Sequence, residues 1–143
     1  MSRPVDGSPA AQSVTLPFEF ASVGVARRRM ARELRAAGLP EPVRADVLVV
    51  LSELLGNAVR HARPLDGGSV EVLWRVHAEE VELAVVDGGA VTHPRAERPP
   101  FASLSGRGLG IVDALAGSWG VEGAGSSRQL VWAVIHVGHR RAE

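Results

Sequence analysis

Glu53, Asn57 and His61 recur at intervals of four within Ser52-Glu53-Leu54-Leu55-Gly56-Asn57-Ala58-Val59-Arg60-His61-Ala62. In a helix this spacing sets an acid, an amide and an imidazole along one stripe. Asn57 is the only asparagine in the chain, and asparagine suits a helix interior poorly because its side chain competes for backbone hydrogen bonds. A carboxylate and an amide one turn apart could share a hydrated Mg²⁺, Asn57 through its carbonyl oxygen and Glu53 through water; Glu53 could equally serve as a base. The plainer alternatives are a solvated helix carboxylate for Glu53 and a helix-end histidine favoured by the dipole for His61, which is the reading preferred for His61.

Two glycine clusters accompany the stripe. Gly106-Arg107-Gly108-Leu109-Gly110 sets a glycine at every second position where a helix begins; exposed amides and a positive helix end make a phosphate cradle, or else an ordinary loop. It is not a dinucleotide-binding fingerprint, because no strand leads directly into it and the third glycine comes one residue early. Asp87-Gly88-Gly89 follows an apolar strand. It could accept a hydrogen bond from an amine while the chain passes close to a ligand, or be a simple strand-to-loop turn.

The elements that must position these residues follow from periodicity. Residues 1–13 read as a flexible tail, residues 14–138 as one domain and residues 139–143 as a short polar tail. Val14 to Phe20 reads as an edge strand because Pro17 lacks a ladder donor. Ser22 is placed to cap a helix that carries Val23, Ala26, Met30, Leu34 and Ala37 on one stripe and ends at Gly38. The long helix starts near Pro42 and runs to about Ala62, with Val43, Val47, Val50, Leu51, Leu54 and Ala58 for packing on a sheet. Ser69–Ala78 and Val81–Val86 form a hairpin turning at Glu79-Glu80, with Val70, Val72, Trp74 and Val76 on one face. Residues 90–105, with Pro94, Pro99 and Pro100, read as a mobile lid. A short helix ending at Gly117 and strands at Trp119–Gly123 and Gln129–Val137 complete the chain. Hairpins with helices on one face predict an α+β two-layer sandwich whose sheet is mixed but mostly antiparallel, rather than a doubly wound one.

Composition narrows the chemistry. The 143 residues, 45 % apolar, suit a single domain with one core. Sixteen basic and sixteen acidic residues cancel, which gives no electrostatic case for direct nucleic-acid binding. All sixteen basic residues are arginine, which excludes a Walker A loop, the strand lysine of eukaryotic-type kinases and a Schiff-base lysine. The absence of cysteine excludes a disulfide framework or thiolate chemistry and suits the cytoplasm. No apolar run reaches the ~20 residues of a membrane span, and the first residues lack a signal-peptide core. The row Arg27, Arg28, Arg29, Arg32 and Arg35 reads as a solvated helix face or, second, as a docking surface for an acidic partner.

Taken together, Glu53-x-x-x-Asn57-Ala58-Val59-x-His61 resembles the N box of the GHKL ATPase superfamily. Asp87-Gly88-Gly89 resembles its first glycine box, and Gly106-Arg107-Gly108-Leu109-Gly110 its second, in matching order over roughly Val14 to Val137. The small size is similar to that of the stand-alone bacterial anti-sigma factor serine kinases, also called histidine kinase-like ATPases. The resemblance implies a Bergerat-type ATP-binding fold. It implies Asn57 as the Mg²⁺ ligand, Asp87 on the adenine amino group, Gly89 as letting the backbone approach the base, and Gly106, Gly108 and Gly110 on the phosphates. Glu53 would be the general base toward a serine or threonine of a partner, and Arg107 is the nearest candidate to neutralise phosphate charge. The implied partners are an anti-anti-sigma protein of the STAS type and a sigma factor, with a homodimer left open. The alternative is a catalytically silent, nucleotide-gated protein-binding module. One departure is Val91, which stands where the first glycine box usually has a further glycine.

Overall fold

The computed structural model describes residues 11–89 and 107–138. In chain order the elements are β1 (Gln12–Pro17), α1 (Ala21–Ala36), α2 (Glu41–His61), β2 (Ser69–Val76), β3 (Glu80–Asp87), α3 (Arg107–Leu115), β4 (Ser118–Glu122) and β5 (Gln129–His136). The five strands form one sheet in the order β1-β2-β3-β5-β4. All four pairings are antiparallel, so the expected parallel component is absent from the described strands. No described helix is long and apolar enough to cross a membrane.

The register assembles one apolar face. Leu16 stands opposite Val70, Val72 opposite Val85, Trp74 opposite Leu83, and Val85 opposite Val131. Because side chains alternate along a strand, the pairs gather on the same side of the sheet. The helices cover that side: Met30 and Leu34 of α1, and Val43, Val47, Val50, Leu51, Leu54 and Leu55 of α2, are at most 2 % exposed. At the usual 25 cal/mol per Å², each such side chain contributes about 1.5–3 kcal/mol on leaving water. A smaller apolar cluster of Leu73, Ala84 and Val86, flanked by Leu65, Leu130 and Trp132, lies on the other face. Burial on both faces is why β3 reads as a continuous apolar run rather than an alternation.

Several boundaries differ from expectation for local reasons. β1 begins at Gln12 and stops at Pro17, and the chain turns through Phe18–Phe20, with Glu19 N–H donating to the Pro17 carbonyl at 2.9 Å. Ser22 does not cap α1. The N-cap is Phe20, without a side-chain cap, and the buried Ser22 hydroxyl donates to the Pro17 carbonyl at 2.6 Å, tying the helix start to the strand end. α2 opens on extended Pro40 with proline in its first turn, as expected. The hairpin turns at Ala78-Glu79, because His77 N–H donates to the Glu80 carbonyl at 2.8 Å and Glu80 is already in the strand. α3 starts at Arg107, so Gly108 and Gly110 lie inside its first turns rather than ahead of it. The expected lid, Val91 and Gly106 lie outside the described residues, as do residues 1–10 and 139–143.

Candidate functional site

Asp87 is the last residue of β3 and pairs in register with Gln129, the first of β5. Alternation from Val85 and Val131 turns both polar side chains to the helix layer. Asp87 is 1 % and Gln129 4 % exposed. The Asp87 carboxylate accepts the Gly89 N–H at 2.7 Å and a bond from the Gln129 side chain. Burial pushes its pKa up to about 6, against the lowering effect of those two bonds.

The helix side of the site comes from α2. Leu54, Asn57, Ala58 and Ala62 line one cleft with Asp87, Gln129, Val131 and, from α3, Leu109. The spacing of 54, 57, 58 and 62 is that of one helix face. Asn57 is buried, and its Nδ2 has no hydrogen-bond partner among the described residues. Such an atom costs about 1–3 kcal/mol of desolvation, which marks the amide as placed for something other than packing. Rotation of the amide about its terminal bond exchanges nitrogen for carbonyl oxygen, so this position can present either group to the cleft.

Glu53 sits half-buried one turn before Asn57 and is not part of the cleft wall. His61 is also half-buried at the helix end; burial first, and then the Arg60 charge, hold its pKa below the ordinary value. The imidazole lies outside the cleft wall.

The Asp87-Gly88-Gly89 exit is clamped from two sides. Gly88 N–H donates to the Arg63 carbonyl at 2.7 Å, and Arg63 N–H donates to the Gly89 carbonyl at 2.8 Å. A Cβ on Gly88 would stand 2.2 Å from the Pro64 carbonyl oxygen, and one on Gly89, whose φ is +101°, would stand 2.2 Å from that of Ser126. Both glycines are thus required by close backbone approach. Ser126 belongs to a turn tightened by its own hydroxyl, whose single proton can go to either the Gly123 or the Arg128 carbonyl, 2.7 and 2.8 Å away. Gly110 differs, because a Cβ there would meet nothing within 4 Å. Among the described residues, nothing outside α3 demands a glycine at that point.

The structure thus brings Asn57, Asp87 and Gly89 together, and α3 closes over them through Leu109. Gln129 was missed by sequence reasoning. Its one signal is a polar residue opening an otherwise apolar strand, and that acquires meaning only once the β3–β5 register is known. Arg107 and Gly108 are placed at the start of α3, while Gly106 lies outside the described residues.

Comparison with known proteins agrees with this fold. The family model described as histidine kinase-like ATPase domain matches residues 16–133. Among solved structures, the RsbU and RsbW domains of Rv1364c from Mycobacterium tuberculosis superpose with a TM-score of 0.68 at 17 % identity, covering 93 % of this chain and 34 % of that one. This chain therefore spans about a third of the length of that protein. No curated protein matches the chain. With the family model covering most of its length and all the described site residues, the chain belongs to the histidine kinase-like ATPase domain family.

Proposed function

We propose that the chain binds Mg-ATP in the Asn57–Asp87 cleft and acts as a regulatory serine/threonine kinase of the anti-sigma factor type. The observation that carries this reading is the pair of buried polar groups at one cleft: a carboxylate held by Gly89 and Gln129, and an amide with unmet hydrogen-bonding capacity on the facing helix. Asp87 accepts a hydrogen bond from the adenine amino group, and Gly89 lets the backbone approach the base. Gly110, beside open space, lets phosphates approach the first turns of α3, whose amides and helix end favour anions. Gly106, Gly108 and Arg107 belong to the same phosphate-binding segment.

A magnesium ion fits the donor set. Asn57 would hold it through a hard carbonyl oxygen, waters and nucleotide phosphates being the usual remaining ligands of magnesium. When bound it supplies charge neutralisation at the phosphates. Glu53 accepts the hydroxyl proton of the partner's serine or threonine as that oxygen bonds to the γ-phosphorus and the bond to the ADP oxygen breaks. The substrate in this reading is an anti-anti-sigma protein of the STAS type, and a sigma factor is the protein sequestered.

A second reading, a nucleotide-gated binding module without catalysis, is favoured by the absence of Glu53 from the cleft wall. Incubation with γ-labelled ATP and a cognate antagonist separates the two. Phosphate transfer that Glu53→Gln abolishes while ATP binding persists is the expected result. No transfer by the unaltered chain, with ATP binding intact, leaves only the gated module. No heat on calorimetric titration with Mg-ATP overturns both.

A further inference from the structure

The end of β3 remote from Asp87 carries a second group of chemistry-bearing side chains. Glu80 opens the strand and Asp87 closes it, so at about 3.3 Å per residue the two ends lie roughly 23 Å apart. Around Glu80 the hairpin and its neighbour gather Arg75, His77, Glu80, Glu82 and His136. Register sets Arg75 opposite Glu82 and His136 opposite Glu80, on the sheet face turned away from the helices.

We propose that His77, Glu80 and Glu82 form a Zn²⁺ site. One ligand atom from each of the three lies within 4.8 Å of the others. The His77 Nε2 to Glu82 Oε2 separation is 3.3 Å. Bonds of about 2.0–2.2 Å at the tetrahedral angle span about 3.3–3.6 Å between neighbouring ligands, so this pair already stands at a coordination edge. The spacing His77-x-x-Glu80-x-Glu82 is locked by a two-residue turn, since His77 N–H donates to the Glu80 carbonyl at 2.8 Å.

Orientation is supplied from outside the ligand set. Glu82 is 8 % exposed in its side chain, and its other oxygen, Oε1, accepts from Arg75 Nη1 at 2.7 Å. That bond fixes the carboxylate plane and leaves Oε2 turned to His77, the role hydrogen bonds to a ligating carboxylate play in metal sites. His136 Nδ1 stands 3.8 Å from Glu80 Oε1, restraining the second carboxylate from β5. The ring of His136 in turn rests against Gly117, where a Cβ would stand 2.2 Å from its Cδ2. Glu80 and His136 also line a groove open to solvent together with Ala78, Glu79 and Gly138, which gives access from the Glu80 side.

The donor chemistry selects the ion. One imidazole with two carboxylates and no thiolate suits Zn²⁺ among abundant cations, whereas Mg²⁺ and Ca²⁺ prefer oxygen alone. Without an ion, Arg75 pairs with Glu82, and His77 and His136 stand within 3.3 and 3.8 Å of Glu82 and Glu80, so the hairpin holds its shape before metal arrives. Bound zinc would cross-link β2 to β3 through side chains and tie regulation to metal supply at a place distinct from the nucleotide cleft.

The test uses the full chain, stripped with chelator and free of nucleotide, titrated with ZnCl₂ by calorimetry and with Co²⁺ by visible absorption. One saturable Zn²⁺ site and a Co²⁺ spectrum of low-symmetry, tetrahedral type are expected. His77→Ala, at a half-exposed residue and with circular dichroism as the check that the fold is kept, should weaken binding by about tenfold or more, and Glu80→Gln likewise, comparable to the losses from disturbing a metal site. His61→Ala should leave it unchanged. Absence of saturable Zn²⁺ binding, or binding by His77→Ala equal to the unaltered chain, overturns the proposal and leaves an ion-pair cluster.

Discussion

Asp87 and Gln129 face each other across the β3–β5 ladder at its site end, their side chains hydrogen-bonded and both turned into the helix layer. The pair holds a carboxylate out of water on the cleft wall, where Coulomb and hydrogen-bond interactions with a ligand are least screened.

That burial has a signed consequence for stability. The folded pKa of Asp87 is raised to about 6 from an ordinary value of 3.8, so between these pH values the folded chain keeps a proton that the unfolded chain has released. Its contribution is fully present below about pH 4 and is lost as pH rises through 6, by about 3 kcal/mol in order of magnitude. Asp87→Asn, which cannot ionise, should remove this fall from urea-unfolding curves recorded between pH 4 and 7. An unchanged pH profile in the variant would contradict the assignment. The same variant should lose nucleotide affinity if Asp87 accepts the adenine amine.

Asn57→Ala should separate function from stability. The substitution removes the unpartnered Nδ2, relieving a desolvation cost of about 1–3 kcal/mol while giving up some packing. The apo chain should be as stable as before or slightly more so, within about 1 kcal/mol. The rise in melting temperature produced by Mg-ATP should disappear. A strongly destabilised apo chain would mean that Asn57 serves the fold.

Gly89→Ala should cost about 2 kcal/mol or more, since it forces a side chain into positive φ against a backbone oxygen. Gly117→Ala is the control: the atoms nearest its Cβ would be those of the His136 imidazole, a half-exposed side chain that can swing aside. Chemical denaturation of the two variants gives the comparison, and equal losses would refute it.

Gly56 and Gly110 make a matched pair, both helical and both with open space where a Cβ would stand, no described atom from beyond the surrounding helix backbone lying within 4 Å of that point. Alanine at either should stabilise the free chain by about 0.5–1 kcal/mol through helix propensity. Only Gly110→Ala should weaken ATP binding, because only Gly110 lies in the helix turns assigned to the phosphates. Calorimetric titration of both variants decides it.

Much of the scaffold was legible in the sequence because hydrophobic period reports the element type directly. The stripe of α2 and the alternation Val70, Val72, Trp74, Val76 each place a core face without reference to the rest of the chain. Boundaries set by specific hydrogen bonds were not legible. Ser22 looks like a cap in sequence, but its hydroxyl is taken by the Pro17 carbonyl, and only the crossing of β1 and α1 decides that.

The site divides in the same way. Asn57 and Asp87-Gly88-Gly89 stand out in the sequence because an amide in a helix interior and paired glycines at a strand end conflict with local preference, and such conflicts mark function. Gln129, the clamping of the glycines by Pro64 and Ser126, and the gathering of His77, Glu80 and Glu82 with Arg75 and His136 were invisible there. Each depends on strand register or on two loops meeting, and register is decided by burial of a whole sheet face rather than by the residues that happen to be brought together.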